Sequence, residues 1–245
     1  MDKPIHKTKE FLKDLLFPKF CLGCKKEGVF LCQDCRTLLD ISEFDYCLCD
    51  QKPIRLPPES KSGKCQRCQN KKLSGLYFAL SYKENSLTKK LIRQFKYQPY
   101  IKELSKTLAS ILIEHFLLSK KNTDEIWQNS ILIPVPLDNK KLKTRGYNQS
   151  QELAKELSKI LKIPVFSDVL IKTKNTPPQM ELSKLEREKN LINAFCVRNS
   201  EKISGKKIFL VDDVYTTGST MEQCATILRE NKAKSVWGIA ISREG

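Results

Sequence analysis

Several stretches of this chain carry apolar residues at helical spacing, and continuous apolar runs separate them. Ser86 to Phe95 and Leu104 to Leu118 show such stripes, as does the segment holding Leu153, Leu157, Ile160 and Leu161. The runs Leu76 to Tyr82, Ile131 to Val135 and a stretch near Val169 read as strands, the second stopped by Pro134 and Pro136. Lys207 to Asp212, Ser219 to Asn231 and Val236 to Ile241 follow as strand, helix and strand. Strands alternating with helices predict an α/β fold with a mainly parallel sheet flanked by helices.

The first 75 residues have a different character. Phe11, Leu12, Leu15 and Leu16 give an amphipathic helix that ends before Pro18. From Cys21 to Lys72 periodicity is weak, and Pro53, Pro57, Pro58 and Gly63 mark a loop. The expected division is a helix at 1–19, a cysteine-rich module at 20–73 and the α/β domain at 74–245. Thr173 to Asn190 is polar, contains Pro177 and Pro178, and reads as a mobile loop.

A length of 245 residues with 40% hydrophobic content allows a sizeable core. The longest apolar run, Leu108 to Leu118, is broken by Glu114 and His115, and no signal-peptide core opens the chain. The expectation is a cytoplasmic protein without membrane insertion. There the ten cysteines stay reduced, and eight of them lie in close pairs between Cys21 and Cys68, which points to metal rather than disulfides. Cys21, Cys24, Cys32 and Cys35 form two CxxC knuckles seven residues apart, the pattern of a closed structural zinc site. Cys47, Cys49, Cys65 and Cys68 suit a second zinc, although the CxC knuckle around Leu48 is one residue short. One or two structural zinc ions are therefore expected. Cys196 and Cys224 fall in an expected strand and helix and receive no chemical role.

The net charge is +16, of which +5 lies in the first 75 residues and +11 beyond them. Such a balance suits an anionic ligand or nucleic acid.

One segment says more. In KIFLVDDVYTTGST an apolar strand runs into a short Thr/Gly/Ser loop that opens directly into a helix. Free amides at a helix start bind phosphate, helped by the hydroxyls of Thr216, Thr217, Ser219 and Thr220, while Gly218 permits close backbone approach. Asp212 and Asp213 stand just before the loop, where carboxylates can accept hydrogen bonds from neighbouring sugar hydroxyls. The combination suits a ribose 5-phosphate. Helix capping alone asks for less than this.

VDDVYTTGST resembles the phosphoribosyl pyrophosphate loop of type I phosphoribosyltransferases. The resemblance implies that Asp212 and Asp213 hold the ribose hydroxyls, that Thr216 to Thr220 hold the 5′-phosphate, and that magnesium accompanies the pyrophosphate. Thr216 replaces the aspartate that assists proton transfer in purine-salvage members, which disfavours that chemistry. Arg145, beside Gly146 in a basic loop with Lys140, Lys141 and Lys143, would face pyrophosphate; Arg187 and Lys189 are further candidates.

FPKFCLGC, QFKYQPY, PVPLDNKKLKTRGYNQ, NTPPQMELSKLEREKNLINAF and VDDVYTTGST, in that order, resemble the ComF family over nearly the whole chain. This implies a type I phosphoribosyltransferase fold with a small N-terminal zinc-ribbon module, and a link to DNA uptake in natural transformation. Lys96 lies near the site by this analogy alone. Three roles stay open: a phosphoribosyl pyrophosphate-binding protein that handles single-stranded DNA with DNA-uptake proteins, an enzyme acting on a nitrogenous acceptor, and a zinc-ribbon DNA- or protein-binding module on a degenerate scaffold. Tyr97, Tyr100 and Tyr147, set among basic residues, are candidate stacking platforms for DNA.

Overall fold

The computed structural model describes residues 18–58, 60, 62–83, 86–121, 124–173 and 194–244. The helix expected around Phe11 to Leu16 lies outside these residues, as does all but Thr173 of the expected loop, with Arg187 and Lys189.

Among the described residues four parallel strands form the main sheet: β1 (Leu76–Ser81), β2 (Ser130–Pro134), β5 (Lys207–Tyr215) and β6 (Ser235–Arg243), in the order β1-β6-β5-β2. β3 (Leu170–Lys172) and β4 (Phe195–Val197) pair as a separate two-stranded antiparallel sheet. The helices are α1 (Gln33–Thr37), α2 (Leu87–Lys96), α3 (Leu104–Leu118), α4 (Asp124–Trp127), α5 (Asn139–Arg145), α6 (Gln149–Leu161) and α7 (Ser219–Glu230).

The central stretches of the strands are apolar because both faces of the sheet are covered. Leu132, Phe209, Val211 and Ile239 pack against Leu91, Phe95, Leu108, Leu112 and Leu153 from α2, α3 and α6. The alternate residues Ile131, Ile133, Ile208 and Leu210 face Cys224 and Leu228 of α7, together with Phe195. Cys47, Leu48, Cys68 and Leu73 are buried in that same cluster, so the second cysteine pair of knuckles shares its core with the sheet. Each fully buried Leu, Ile or Phe contributes about 1.5–3 kcal/mol. Among the described residues no helix is long and apolar enough to cross a membrane.

Two expectations need correction. The basic segment after β2 is a helix, α5, rather than a loop. Asp138 accepts a hydrogen bond from the Lys141 amide at 2.9 Å and starts it, and Gly146, at φ +79°, closes it in the left-handed conformation. The strand expected to stop at Asp212 runs on to Tyr215, because β6 supplies ladder partners as far as Arg243.

Candidate ribose-phosphate site

The site forms where the sheet loses a strand. β2 pairs with β5 only as far as Pro134 opposite Val211, so Asp212 and Asp213 continue on β5 beyond the end of their neighbour. This is the C-terminal edge where open α/β sheets bind ligands. The start of α6 fills that side. Asn148 caps the helix by accepting from the Ser150 amide at 3.0 Å, and its own amide nitrogen donates to the Val135 carbonyl at 3.0 Å. The cap thus fastens α6 to the end of β2 and turns Gln149 and Ser150 toward the acids.

Both acids are engaged. Lys96, the last residue of α2, places Nζ 2.9 Å from Oδ1 of Asp213, and Gln149 Nε2 donates to Oδ2 at 3.1 Å. Ser150 Oγ donates to Oδ1 of Asp212 at 2.9 Å, and the Asp213 amide donates to the same oxygen at 2.9 Å. Burial and the neighbouring Asp213 charge push the Asp212 carboxyl up to about 6. Burial also acts on Asp213, but Lys96 and Gln149 outweigh it and hold that carboxyl below its ordinary range. Desolvation would lower the Lys96 ammonium; the two aspartates reverse this and hold it charged. Two adjacent acids with opposite shifts form one coupled unit.

The loop follows at once. Gly218, at φ +78°, is the N-cap residue of α7 and has no side chain to accept from the first-turn amides. Thr217 Oγ1 and Ser219 Oγ lie 2.9 Å apart. A Cβ at Gly218 would come within 2.2 Å of the Tyr215 hydroxyl oxygen, so glycine is required by conformation and by the ring beneath it. The loop therefore offers amides, hydroxyls and a helix N-terminus to an anion.

Arg145 ends α5 with Cζ 6.0 Å from the Tyr97 ring centroid, and its Nη1 is buried without a hydrogen-bond partner. Its charge contributes to holding Asp213 down. Lys141 pairs with Asp138 at 3.6 Å, while Lys140 and Lys143 are exposed. Among the tyrosines, Tyr147 is a packing residue whose hydroxyl donates to the Phe95 carbonyl at 2.6 Å; Tyr97 is exposed.

Three site neighbours escaped the sequence reading. Gln149 and Ser150 stand in the motif RGYNQS, and the sequence assigns neither a ligand role. Lys172, at the end of β3, is partly buried; burial and nearby Lys141 push its ammonium down, while Asp138 and Asp212 act in the other direction. A polar cluster directly behind a helix cap was the available signal for the first two; nothing local marks Lys172.

The cysteines gather as two sets, Cys21, Cys24, Cys32, Cys35 and Cys47, Cys49, Cys65, Cys68, each with its sulfurs within 4.8 Å of one another. Cys24 and Cys32 lie 3.5 Å apart, Cys49 and Cys65 3.5 Å, and Cys65 and Cys68 3.7 Å. Tetrahedral zinc with Zn–S of about 2.3 Å requires sulfur separations of about 3.8 Å. Burial pushes the Cys35 and Cys49 thiols up to about 12. Four thiols this close cannot all ionise without a cation among them, and both sets suit zinc.

A family model described as the phosphoribosyl transferase domain matches residues 145–242. The chain is 31% identical over 223 residues to competence protein F of Haemophilus influenzae, covering 86% of this chain and 96% of that protein. It is 29% identical over 216 residues to the DNA utilization protein YhgH of Salmonella typhimurium, covering 84% and 93%. Competence protein ComFC of Bacillus subtilis is 26% identical over 220 residues, covering 87% and 84%. Among solved structures, glutamine phosphoribosylpyrophosphate amidotransferase from B. subtilis overlaps 56% of this chain and 25% of its own, at 21% identity and a TM-score of 0.34.

Proposed function

The chain belongs to the ComF family, and on that basis we propose that it binds phosphoribosyl pyrophosphate with magnesium at Asp212 to Thr220 in the service of DNA uptake. One observation carries the reading: a largely buried acid pair on β5 is followed five residues after Asp213 by a helix start whose N-cap residue, Gly218, is glycine. In this reading Thr216 to Thr220 hold the 5′-phosphate. The exposed side of Asp212 meets a ribose hydroxyl, and Asp213 meets its neighbour once Lys96 shifts. Arg145, with its unpartnered Nη1, faces the pyrophosphate, whose charge magnesium partly neutralises. Residues 20–73 form a zinc-holding unit and 74–245 the phosphoribosyltransferase-like unit, working in the cytoplasm where thiols stay reduced.

Calorimetric titration of phosphoribosyl pyrophosphate with magnesium into wild type and an Asp212→Asn, Asp213→Asn double variant tests the proposal. Binding by wild type that the variant loses supports it; no binding, or equal binding, overturns it.

A second reading, in which the same face handles single-stranded DNA, draws on Tyr97, exposed beside Arg145. It requires an affinity for single-stranded DNA that falls steeply with salt and weakens in Tyr97→Ala. Release of pyrophosphate on adding a nitrogenous acceptor would instead establish an enzyme.

A further inference from the structure

Tyr215 and Arg243 have no part in the proposed ligand contacts, yet both are almost wholly buried between the second cysteine set and the loop. The Tyr215 ring lies directly beneath Gly218, where any side chain would stand. Its hydroxyl donates at 3.4 Å to the carbonyl of Leu48, the residue between Cys47 and Cys49. Arg243 donates to the Cys47 carbonyl at 2.7 Å and also to the Cys49 carbonyl, with its guanidinium carbon 5.5 Å from the Tyr215 ring. A second connection runs through α7. Glu222, in the first turn of that helix, accepts hydrogen bonds from the amides of Lys72 and Leu73, just beyond Cys68.

Both ends of the second cysteine set are therefore tied to the phosphate loop, one to its glycine and one to its helix. The direction of influence follows from what holds each part. The carbonyls of Cys47 and Cys49 face Arg243 only while the short CxC knuckle keeps its shape. A knuckle sixteen residues away from its partner Cys65 depends on a shared metal for that shape. Loss of the metal would leave Arg243 as a buried cation without acceptors, and relaxation around it would move Tyr215. The first cysteine set packs against Leu31 and Leu87 and makes no such connection among the described residues.

We infer that Tyr215 and Arg243 are positioning residues through which a metal held by Cys47, Cys49, Cys65 and Cys68 raises the affinity of the loop for a phosphate ester. The inference rests on the reading of Thr216 to Thr220 as a phosphate site. Because coupling is reciprocal, a bound phosphate ester raises the affinity of the second set for its metal by the same factor.

The test uses the full chain in three forms: wild type, Cys49→Ser with Cys65→Ser, and Cys21→Ser with Cys24→Ser. Bound zinc, amide hydrogen exchange across 215–222, and calorimetric affinity for phosphoribosyl pyrophosphate with magnesium are measured on each. Disrupting the second set weakens binding by about tenfold, as loss of a supporting shell does, and speeds exchange in the loop, whereas disrupting the first set changes neither. Equal effects of the two disruptions, or unchanged loop exchange without the second metal, overturn the inference. Tyr215→Phe and Arg243→Lys decide the matter where cysteine variants fail to fold: with zinc content intact, they must still speed loop exchange, and unchanged exchange refutes the coupling. If wild type binds no phosphoribosyl pyrophosphate, the ligand reading fails while the exchange measurements still judge the coupling.

Discussion

Lys96 Nζ lies 2.9 Å from Oδ1 of Asp213, joining the last residue of α2 to the middle of the site across 117 positions of sequence. The acid expected to receive a sugar hydroxyl thus already holds a cation. The pair is asymmetric, since Asp213 is nearly inaccessible while the Lys96 side chain is 30% exposed. Lysine can swing away to admit a ligand, and the carboxylate cannot.

Removing that cation leaves a buried charge held by the Gln149 hydrogen bond and the Arg145 charge. Lys96→Met is expected to destabilise the fold by about 2 kcal/mol at pH 7, below the 3–5 kcal/mol typical of fully buried pairs because the lysine is partly solvated. Urea denaturation of wild type and variant at pH 7 measures it. No loss of stability would show that the pair is not held in solution.

Asp212 behaves in the opposite sense. Its folded carboxyl titrates near 6 against an ordinary value of 3.8, so between those values the native state binds more protons than the unfolded one, and this group's contribution to stability falls as pH rises. Above about pH 7 the cost is complete. Asp212→Asn removes it, so the variant gains on wild type between pH 4 and 6 and then keeps a constant advantage of about 1 kcal/mol or more. Parallel denaturation series across that range test the sign.

Gly218→Ala combines a left-handed backbone with a collision against Tyr215. A loss of about 2 kcal/mol or more is expected, from backbone strain of about 1–3 kcal/mol together with displacement of the ring. Thermal unfolding measures the loss. Gly205→Ala is the control for backbone strain alone: it has φ +69° and open space around it, and should cost less.

Two closed cysteine sets predict two zinc ions per chain. Metal released by a mercurial reagent and measured with a chromophoric chelator should approach that ratio, and prolonged chelation should lower the unfolding temperature. A ratio near one would mean that the CxC set does not retain its metal.

Much of this arrangement follows from neighbours in sequence. Helical stripes at 104–118 and 153–161, the apolar run before Asp212, the paired cysteines and the Thr/Gly/Ser loop are all patterns over a few residues, and each gave the element or cluster it implied. The exceptions among local features were the strand end, which runs past Asp212 to Tyr215, and 139–145. There the basic composition suggested a loop, but the flanking Asp138 and Gly146 were cap signals that outweighed it.

What the chain order could not supply is convergence. Lys96 reaches Asp213, Gln149 and Ser150 close on the acid pair, and Arg243 takes the Cys47 carbonyl from 196 positions away. Such contacts depend on which strand ends first and how a helix is seated against it, and those are outcomes of packing the whole core. Periodicity and ligand spacing are recorded between adjacent residues, so the sequence alone determined the α/β pattern, the cysteine sets and the Thr/Gly/Ser loop ahead of a helix. Only the tertiary structure decided which distant charges and carbonyls meet there, because burial penalises every unpaired polar group until the fold brings its partner.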